Sequence, residues 1–168
     1  IRIVTDSGSD LSDEEISNLG ILIVPLSIRF GEEELIDRIE LGADEFYDRM
    51  NNSEDVPQTA APSPGAFITA FEECFEQGAE TVICINMSGE LSATIQAAET
   101  AARELAGKDI HIFDSKSVTS GLGTMVLEAA KASQENHSVD EILKLVDDLR
   151  SKTHVYAAID TLENLKKG

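Results

Sequence analysis

Short apolar runs alternate with segments of helical periodicity along most of this 168-residue chain, and that alternation constrains the fold more than any other feature. Residues 81–85 form an apolar run with the length of a buried strand. Just before it, residues 64–78 place apolar side chains at helical spacing, which is typical of an amphipathic helix. Strands that alternate with helices favour parallel pairing, because each helix returns the chain to the same end of the sheet. The sequence therefore predicts an α/β fold with a largely parallel sheet flanked by helices.

Turn and capping residues predict where these elements begin and end. Ser12 and Ser138 each precede a glutamate by three residues, which is the pattern of a capping box at a helix start. The predicted strands cover residues 2–5, 21–24, 81–85, 110–113 and 155–159. The predicted helices cover residues 12–20, 43–51, 64–78, 91–98, 121–132 and 138–149, with one more helical turn over 161–167. A solvated acidic run is predicted at residues 32–34, and a rigid, proline-containing loop at residues 55–65.

Charge and composition exclude several classes of partner. The chain has 32 Asp and Glu residues against 13 Lys and Arg residues, which gives a net charge of −19. Nucleic acid and anionic membrane surfaces are poor partners for such a chain. No apolar run reaches the roughly 18 residues of a membrane span, and no signal-peptide pattern is present. Cys74 and Cys84 lie in apolar segments, which predicts buried free thiols in a reducing compartment. We therefore expect a cytoplasmic protein without membrane insertion.

Polar side chains follow three of the predicted strands at the points where the strands end. Because the carboxyl ends of parallel strands meet at one edge of a sheet, we expect these side chains to converge where α/β proteins bind ligands. Ser and Thr hydroxyls dominate this set, which favours an anion held by neutral hydroxyls and backbone N–H groups. The residues are Asp6 and Ser7, then Ser88, Ser92 and Thr94, and finally Asp114, Ser115 and Ser117.

Residues 91–98 are the strongest candidate for a binding site at this edge. They read as the first turn of a helix, where backbone N–H groups lack partners and the helix dipole adds partial positive charge. Ser92 and Thr94 add hydroxyls at the same place, so that an anion would find donors already directed toward it. Alternatively, Ser92 caps its own helix and binds no ligand. Local sequence leaves both interpretations open.

Catalysis is a competing hypothesis. A kinase or phosphohydrolase could use Asp6 and Asp114 at the ligand edge, but the chain has no phosphate-loop lysine motif. Residues 121–123 supply only two of the glycines of a dinucleotide-binding fingerprint, and no spacing of metal ligands is present. From the residues alone we expect a binder of a small anion or carboxylate, with no metal and no cofactor, and catalysis is not indicated.

Five motifs in the same order resemble those of the DegV family of bacterial proteins. Residues 5–11 resemble the opening TDS-x-x-DL of the family, and residues 57–64 resemble its P-x-TSQPSP loop. Residues 88–98 resemble the SS-x-LSGTYQSA segment, and residues 114–123 resemble DSKS followed by G-x-G. Residues 162–168 resemble the LEYLKKGGRI stretch up to its first glycine.

The resemblance implies a fatty-acid-binding protein that is not itself an enzyme. Members of the family hold one long-chain fatty acid, and the better understood members present its carboxylate to a partner kinase, which makes acyl-phosphate for phospholipid synthesis. Matched by position, Thr59, Ser92 and the backbone N–H of Ala93 would bind the carboxylate, and the fatty acid would be the ligand. A supporting polar edge would be formed by Ser63, Thr94, Asp6, Ser7, Asp114 and Ser115.

The resemblance also implies a domain organisation. Residues 1–160 would form a DegV-like N-terminal α/β domain, and residues 161–168 would be the start of a second domain. Departures of the chain from the family motifs include Ala60, Ala61, Gly89, Ala93 and Ile95. The last three replace Ser, Gly and Tyr, and the loss of glycine at position 93 is expected to narrow the approach of a head group to the backbone.

Overall fold

The computed structural model describes residues 1–53, 56–156 and 158. Contacts between residues divide the chain into two compact units. The first unit comprises Ile1–Val24 and Ala61–Val155, and the second comprises Pro25–Ala60 together with the described residues from Tyr156 onward. Each unit has a sheet of its own, so the predicted alternation of strands and helices belongs mainly to the first unit.

Seven strands are found in the described part of the chain. In chain order they are β1 (Arg2–Asp6), β2 (Leu22–Val24), β3 (Ser27–Phe30), β4 (Glu33–Ile36), β5 (Gln58–Ala60), β6 (Thr81–Asn86) and β7 (Asp109–Asp114). The first unit holds a four-stranded sheet in the order β2-β1-β6-β7, and every neighbouring pair in it is parallel. The predicted α/β class with a parallel sheet is confirmed.

Six α-helices accompany the strands. They are α1 (Asp13–Leu19), α2 (Ala43–Asn52), α3 (Pro64–Glu76), α4 (Thr94–Glu104), α5 (Thr119–Gln134) and α6 (Val139–Lys152). Both predicted capping boxes are present, at Ser12 for α1 and at Ser138 for α6. Each serine hydroxyl accepts the N–H of a glutamate whose carboxylate binds back to the serine, which satisfies donors that the helix itself cannot. Within the described residues, no helix has the length and apolar character that a membrane crossing requires.

The parallel sheet of the first unit is covered on both faces. Successive strand residues point to opposite faces, so Ile3 packs into one apolar cluster and Val4 into the other. The first cluster joins the sheet to α5 and α6 through side chains such as Met125 and Ile142. The second joins it to α3 and α4, with Phe71 fully buried. Apolar residues at helical and strand spacing thus account for both layers.

Two glycines of α5 let other segments approach the helix closely. A β-carbon at Gly123 would lie 2.5 Å from the carbonyl oxygen of Ser9, and one at Gly121 would overlap the hydroxyl of Ser117. Residues 121–123 therefore serve close packing of the helix against neighbouring chain, since no larger residue fits without displacing it. Close packing therefore explains the two glycines, and a dinucleotide-binding role is not needed to explain them.

The second unit contains an antiparallel sheet that the sequence analysis did not predict. Its strand order is β4-β3-β5, with Ile28 opposite both Leu35 and Thr59. The prediction of a rigid loop over residues 55–65 was wrong for Gln58–Ala60, which form β5. The predicted acidic run at residues 32–34 overlaps the start of β4. Apolar residues do alternate with polar ones at Leu26, Ile28 and Phe30, around β3. Strands β4 and β5 are short and carry exposed polar side chains, so they lack this alternation, and their pairing with β3 depends on backbone hydrogen bonds.

Two further boundaries differ from the prediction. Helix α4 begins at Thr94, later than the predicted start at residue 91. The predicted strand over 155–159 is absent at Val155 and Tyr156, which have no regular secondary structure and are 49% and 90% exposed. Residues 157 and 159 of that prediction, and the helical turn predicted over 161–167, lie outside the described residues.

Candidate functional site

The carboxyl ends of β1, β6 and β7 lie side by side at one edge of the first unit's sheet. Asp6 ends β1, while Asn86 and Asp114 end β6 and β7 in register with each other. The chain then enters short polar segments that bind one another, for example where the N–H of Ser115 donates to the carbonyl of Asn86 at 3.1 Å. Convergence of the three polar clusters within this unit was predicted correctly.

Asp6 is completely buried at this edge. Its Oδ1 accepts the N–H of Gly8 at 3.0 Å, and its Oδ2 accepts the N–H of Met87 at 2.8 Å and Nδ2 of Asn86 at 3.1 Å. Burial raises the pKa of the Asp6 carboxyl, and these three donors oppose the rise. A carboxylate so enclosed connects the ends of two strands and has no surface to offer to a substrate.

Three consecutive backbone N–H groups after β6 each donate to a residue that is distant in sequence. The pairs are Met87 to Asp6 Oδ2 at 2.8 Å, Ser88 to the Ser117 carbonyl at 2.9 Å, and Gly89 to the Asp114 carboxylate at 3.3 Å. The chain then turns, and the carbonyl of Ser88 accepts the N–H groups of Leu91 and Ser92. The approach to α4 is therefore fixed by hydrogen bonds at almost every residue.

The start of α4 carries two hydroxyls that bind each other. Ala93 is the N-cap residue, so Ser92 lies one position before the cap. The Oγ atoms of Ser92 and Thr94 are 2.8 Å apart, and Ser92 Oγ also accepts the N–H of Thr94 at 3.3 Å. Thr94 is fully buried and Ser92 is half-buried. Ser92 thus satisfies one donor of the first turn without occupying the N-cap position that the capping alternative required.

Other donors of this first turn remain free for a ligand. Ala93 provides no side-chain cap. Among the described residues, no acceptor is found for the backbone N–H groups of Ala93, Ile95 and Gln96. Ala93 is exposed, so its N–H group lies where an anion can arrive. Free N–H groups at the positive end of a helix dipole, beside a hydroxyl, form an arrangement that binds carboxylates and phosphates.

The segment after β7 is held together by its own side chains. Ser115 is buried, and its Oγ donates to the carbonyl of Ser117 at 3.3 Å and accepts the N–H of Ser117 at 3.1 Å. The N–H of Lys116 donates to Oδ1 of Asp114 at 2.8 Å. These bonds shape the turn, while the Lys116 residue itself is exposed.

The remaining predicted site residues lie in three different places. Ser7 is buried in a 3-10 turn, Ser7–Ser9, directly after β1. Ser63 is the N-cap of α3, and its Oγ accepts the N–H of Ala66 at 3.2 Å. Thr59 lies at the centre of β5 in the second unit and is exposed. Of the three proposed carboxylate ligands, the first unit therefore contains Ser92 and Ala93.

Asn86 is a structural residue of this edge that sequence reasoning missed. It is fully buried, donates to Asp6, and accepts the thiol hydrogen of Cys84 at its Oδ1, with sulfur and oxygen 3.1 Å apart. A polar residue that closes an apolar strand was the available signal, since a buried amide needs partners. Within residues 1–53, 56–156 and 158, no group of three His, Cys, Asp or Glu side chains could hold a metal ion.

Comparison with protein families gives one match over the whole chain. Residues 1–168 match the profile of a family described as "Uncharacterised protein, DegV family". Similar curated proteins include DegV domain-containing proteins of Halalkalibacterium halodurans and Clostridium perfringens, which are 33% and 35% identical over 168 residues. Both alignments cover 100% of this chain but only 59% and 60% of the relatives, so the chain spans about three-fifths of their length.

Solved structures with the same fold include fatty-acid-binding proteins. A DegV family protein from Thermus thermophilus, described by its fatty-acid binding, is 33% identical with a TM-score of 0.83. DegV of Bacillus subtilis, described as a fatty acid binding protein, is 27% identical with a TM-score of 0.83. Each similarity covers 89% of this chain and 53% of the other chain.

The family profile covers the full length of the sequence and contains the five motifs, and the parallel sheet with its polar edge lies in the described residues. The resemblance inferred from five motifs is thereby confirmed, and the chain belongs to the DegV family.

Proposed function

We propose that this chain binds a long-chain fatty acid whose carboxylate is held at the start of α4. The Ser92 hydroxyl and the Ala93 N–H group would donate to the carboxylate oxygens. The observation that carries this proposal is the first turn of α4, where free N–H groups lie beside a half-buried hydroxyl. Relatives of known structure that are described as fatty-acid-binding proteins support the choice of ligand.

The chemistry of this turn suits a carboxylate. Neutral donors and a helix dipole can hold one negative charge without a cation, and the bond between Ser92 and Thr94 leaves the Ser92 hydroxyl oriented by a buried neighbour. The acyl chain would supply most of the affinity, because each buried methylene contributes about 0.8 kcal/mol. The head-group contacts would then set the orientation of the ligand.

Thr59 is proposed as a second hydroxyl ligand of the carboxylate. Support for this role comes from the family resemblance and from the exposed position of Thr59 at the centre of β5. Thr59→Ala is expected to weaken binding, whereas Thr59→Ser keeps the hydroxyl and is expected to bind as the wild type does. Equal weakening by both variants would contradict a hydroxyl contact.

Native mass spectrometry of the intact protein with palmitate tests the proposal directly. The wild type is expected to carry one acyl ligand, and Ser92→Ala is expected to bind about tenfold more weakly, since a hydrogen bond to a charged group is lost. Ser120→Ala is the matched control, because Ser120 is an exposed serine in the first turn of α5. Absence of any acyl ligand on the wild-type protein would refute the function.

We also propose that the intact protein presents its ligand to a partner kinase and catalyses no reaction itself. The enclosure of Asp6 supports this, because this carboxylate, one of the two considered for catalysis, is fully buried and bound by three N–H donors. ATP with Mg²⁺ should leave the melting temperature unchanged, whereas palmitate should raise it. With ATP and Mg²⁺ present in every sample, the palmitate-loaded protein should yield acyl-phosphate and ADP only when a fatty-acid kinase is added, and acyl-phosphate formed without a kinase would refute the carrier role.

A further inference from the structure

The structure assigns Asp6 and Asp114 to positioning: both carboxylates hold the backbone of residues 87–92 so that Ser92 and Ala93 face a bound anion. This inference rests on the proposed fatty-acid binding at α4. It gives the two acidic residues of the ligand edge a role in shaping the site, in place of contact with substrate.

The first anchor is Asp6. Its Oδ2 accepts the N–H of Met87 at 2.8 Å, and its Oδ1 is occupied by the N–H of Gly8 at 3.0 Å. A buried carboxylate that receives several N–H donors is fixed, because any rotation would leave donors unsatisfied. Asp6 therefore fixes the point at which the chain leaves β6.

The second anchor is Asp114, which binds the same turn two residues later. Its carboxylate lies 3.3 Å from the N–H of Gly89 and 2.8 Å from the N–H of Lys116. Its carbonyl accepts Nη1 of Arg150 at 3.1 Å, and the Arg150 guanidinium lies over the ring of Phe113 at 4.6 Å. The end of β7 is thus held by α6, which makes the Asp114 carboxylate a fixed acceptor.

The anchored turn leads directly to the proposed ligand groups. Ser88 lies between the two anchored residues, and its carbonyl accepts the N–H groups of Leu91 at 3.0 Å and Ser92 at 3.1 Å. A shift of Gly89 would move this carbonyl and, with it, the Ser92 hydroxyl. A head-group site loses much of its affinity when its donors move by a fraction of an ångström, since hydrogen bonds weaken steeply with poor geometry.

A carboxylate near an anion site could also act only through its charge, and this alternative predicts the opposite result. Repulsion from Asp114 would weaken binding of a fatty-acid carboxylate, so its removal would tighten binding. If Asp114 positions the turn, its removal weakens binding of the carboxylate although the repulsion has gone. The sign of the change therefore separates the two roles.

The experiment compares palmitate with hexadecanol, which has the same chain length but no charge, on the intact protein. Dissociation constants are measured by displacement of a fluorescent fatty acid. Asp114→Ala is expected to weaken palmitate binding about tenfold and hexadecanol binding less than about twofold. Asp114→Asn, which removes the charge but keeps one acceptor, is expected to fall between wild type and Asp114→Ala.

Asp109→Asn is the matched control, because it removes the same charge from the opposite end of β7. Hydrogen exchange of the ligand-free protein gives a second readout. The N–H groups of residues 89–92 should exchange faster in Asp114→Ala than in the wild type. In Asp109→Asn their exchange rates should equal those of the wild type.

Each outcome of these measurements decides whether Asp114 positions the turn. Tighter or unchanged palmitate binding by Asp114→Ala, or equal losses for palmitate and hexadecanol, would overturn the positioning role. Failure of the wild type to bind palmitate would refute the proposed function and the head-group role with it. In that case, unchanged exchange in Asp114→Ala would also refute the anchoring of the turn, and faster exchange would support it.

Discussion

The two units of this chain differ in how much apolar surface they bury. Both apolar clusters belong to the first unit, where side chains such as Phe67 and Ile83 have no exposed surface. Among the described residues of the second unit, the buried apolar side chains are Leu26, Ile28 and Leu41. Burial of apolar surface supplies most of the free energy of folding. Stability should therefore reside in the first unit, and the second should open at a lower cost.

A cavity in the first unit should produce the largest effect. Phe71→Ala is expected to lower the free energy of unfolding by about 3–5 kcal/mol, because the ring is fully buried and packs 5.9 Å from that of Phe67, centroid to centroid. Urea denaturation followed by circular dichroism measures the change. The control is Phe46→Ala in the second unit, where the ring is only half-buried and the loss should be smaller. Equal losses would contradict the difference between the units.

Asp6→Asn should destabilise the first unit by about 2–3 kcal/mol, because an amide NH₂ would face N–H donors in a buried site. Burial raises the pKa of Asp6, so the wild-type carboxyl contributes stability below its unfolded pKa and loses it as pH rises through the folded value. The difference in unfolding free energy between wild type and Asp6→Asn should therefore be larger near pH 4 than near pH 7. Denaturation at both pH values tests this, and an increase in the difference with pH would contradict it.

The smallest effect on global stability is expected from the second unit. Ile28→Ala should raise the rate of hydrogen exchange in β3, β4 and β5, since Ile28 is one of the few side chains that this sheet buries. The local opening free energy should fall by about 2 kcal/mol, with exchange in β1 and β6 unchanged. Faster exchange in all five strands would show that the units open together.

The same contrast explains how far the fold could be predicted. In the first unit, capping boxes at Ser12 and Ser138 and the apolar spacing of α3 are local signals, and they gave the correct helices. In the second unit, β4 and β5 are short and polar, and they exist because distant backbone groups pair with β3. The spacing of residues within β4 and β5 does not indicate which distant strand they pair with.

The candidate site was predictable to a similar degree. The convergence of Asp6, Ser92 and Asp114 at one edge followed from parallel strand topology. The roles within the edge depended on three-dimensional detail, because only the structure shows Asp6 enclosed by donors and Asn86 bound to it. A helix-start pattern indicated the right turn, but the helix begins at Thr94, three residues later than predicted.

The two thiols of the second apolar cluster can report transient opening of the helix layer that covers them. Cys74 on α3 and Cys84 on β6 are both almost completely buried, and burial raises the pKa of each thiol. Alkylating reagents attack the thiolate, so modification must wait until that layer separates from the sheet. The chain contains no tryptophan whose fluorescence could follow this opening. The rate of alkylation would measure the opening rate of the α3 and α4 layer without an introduced dye.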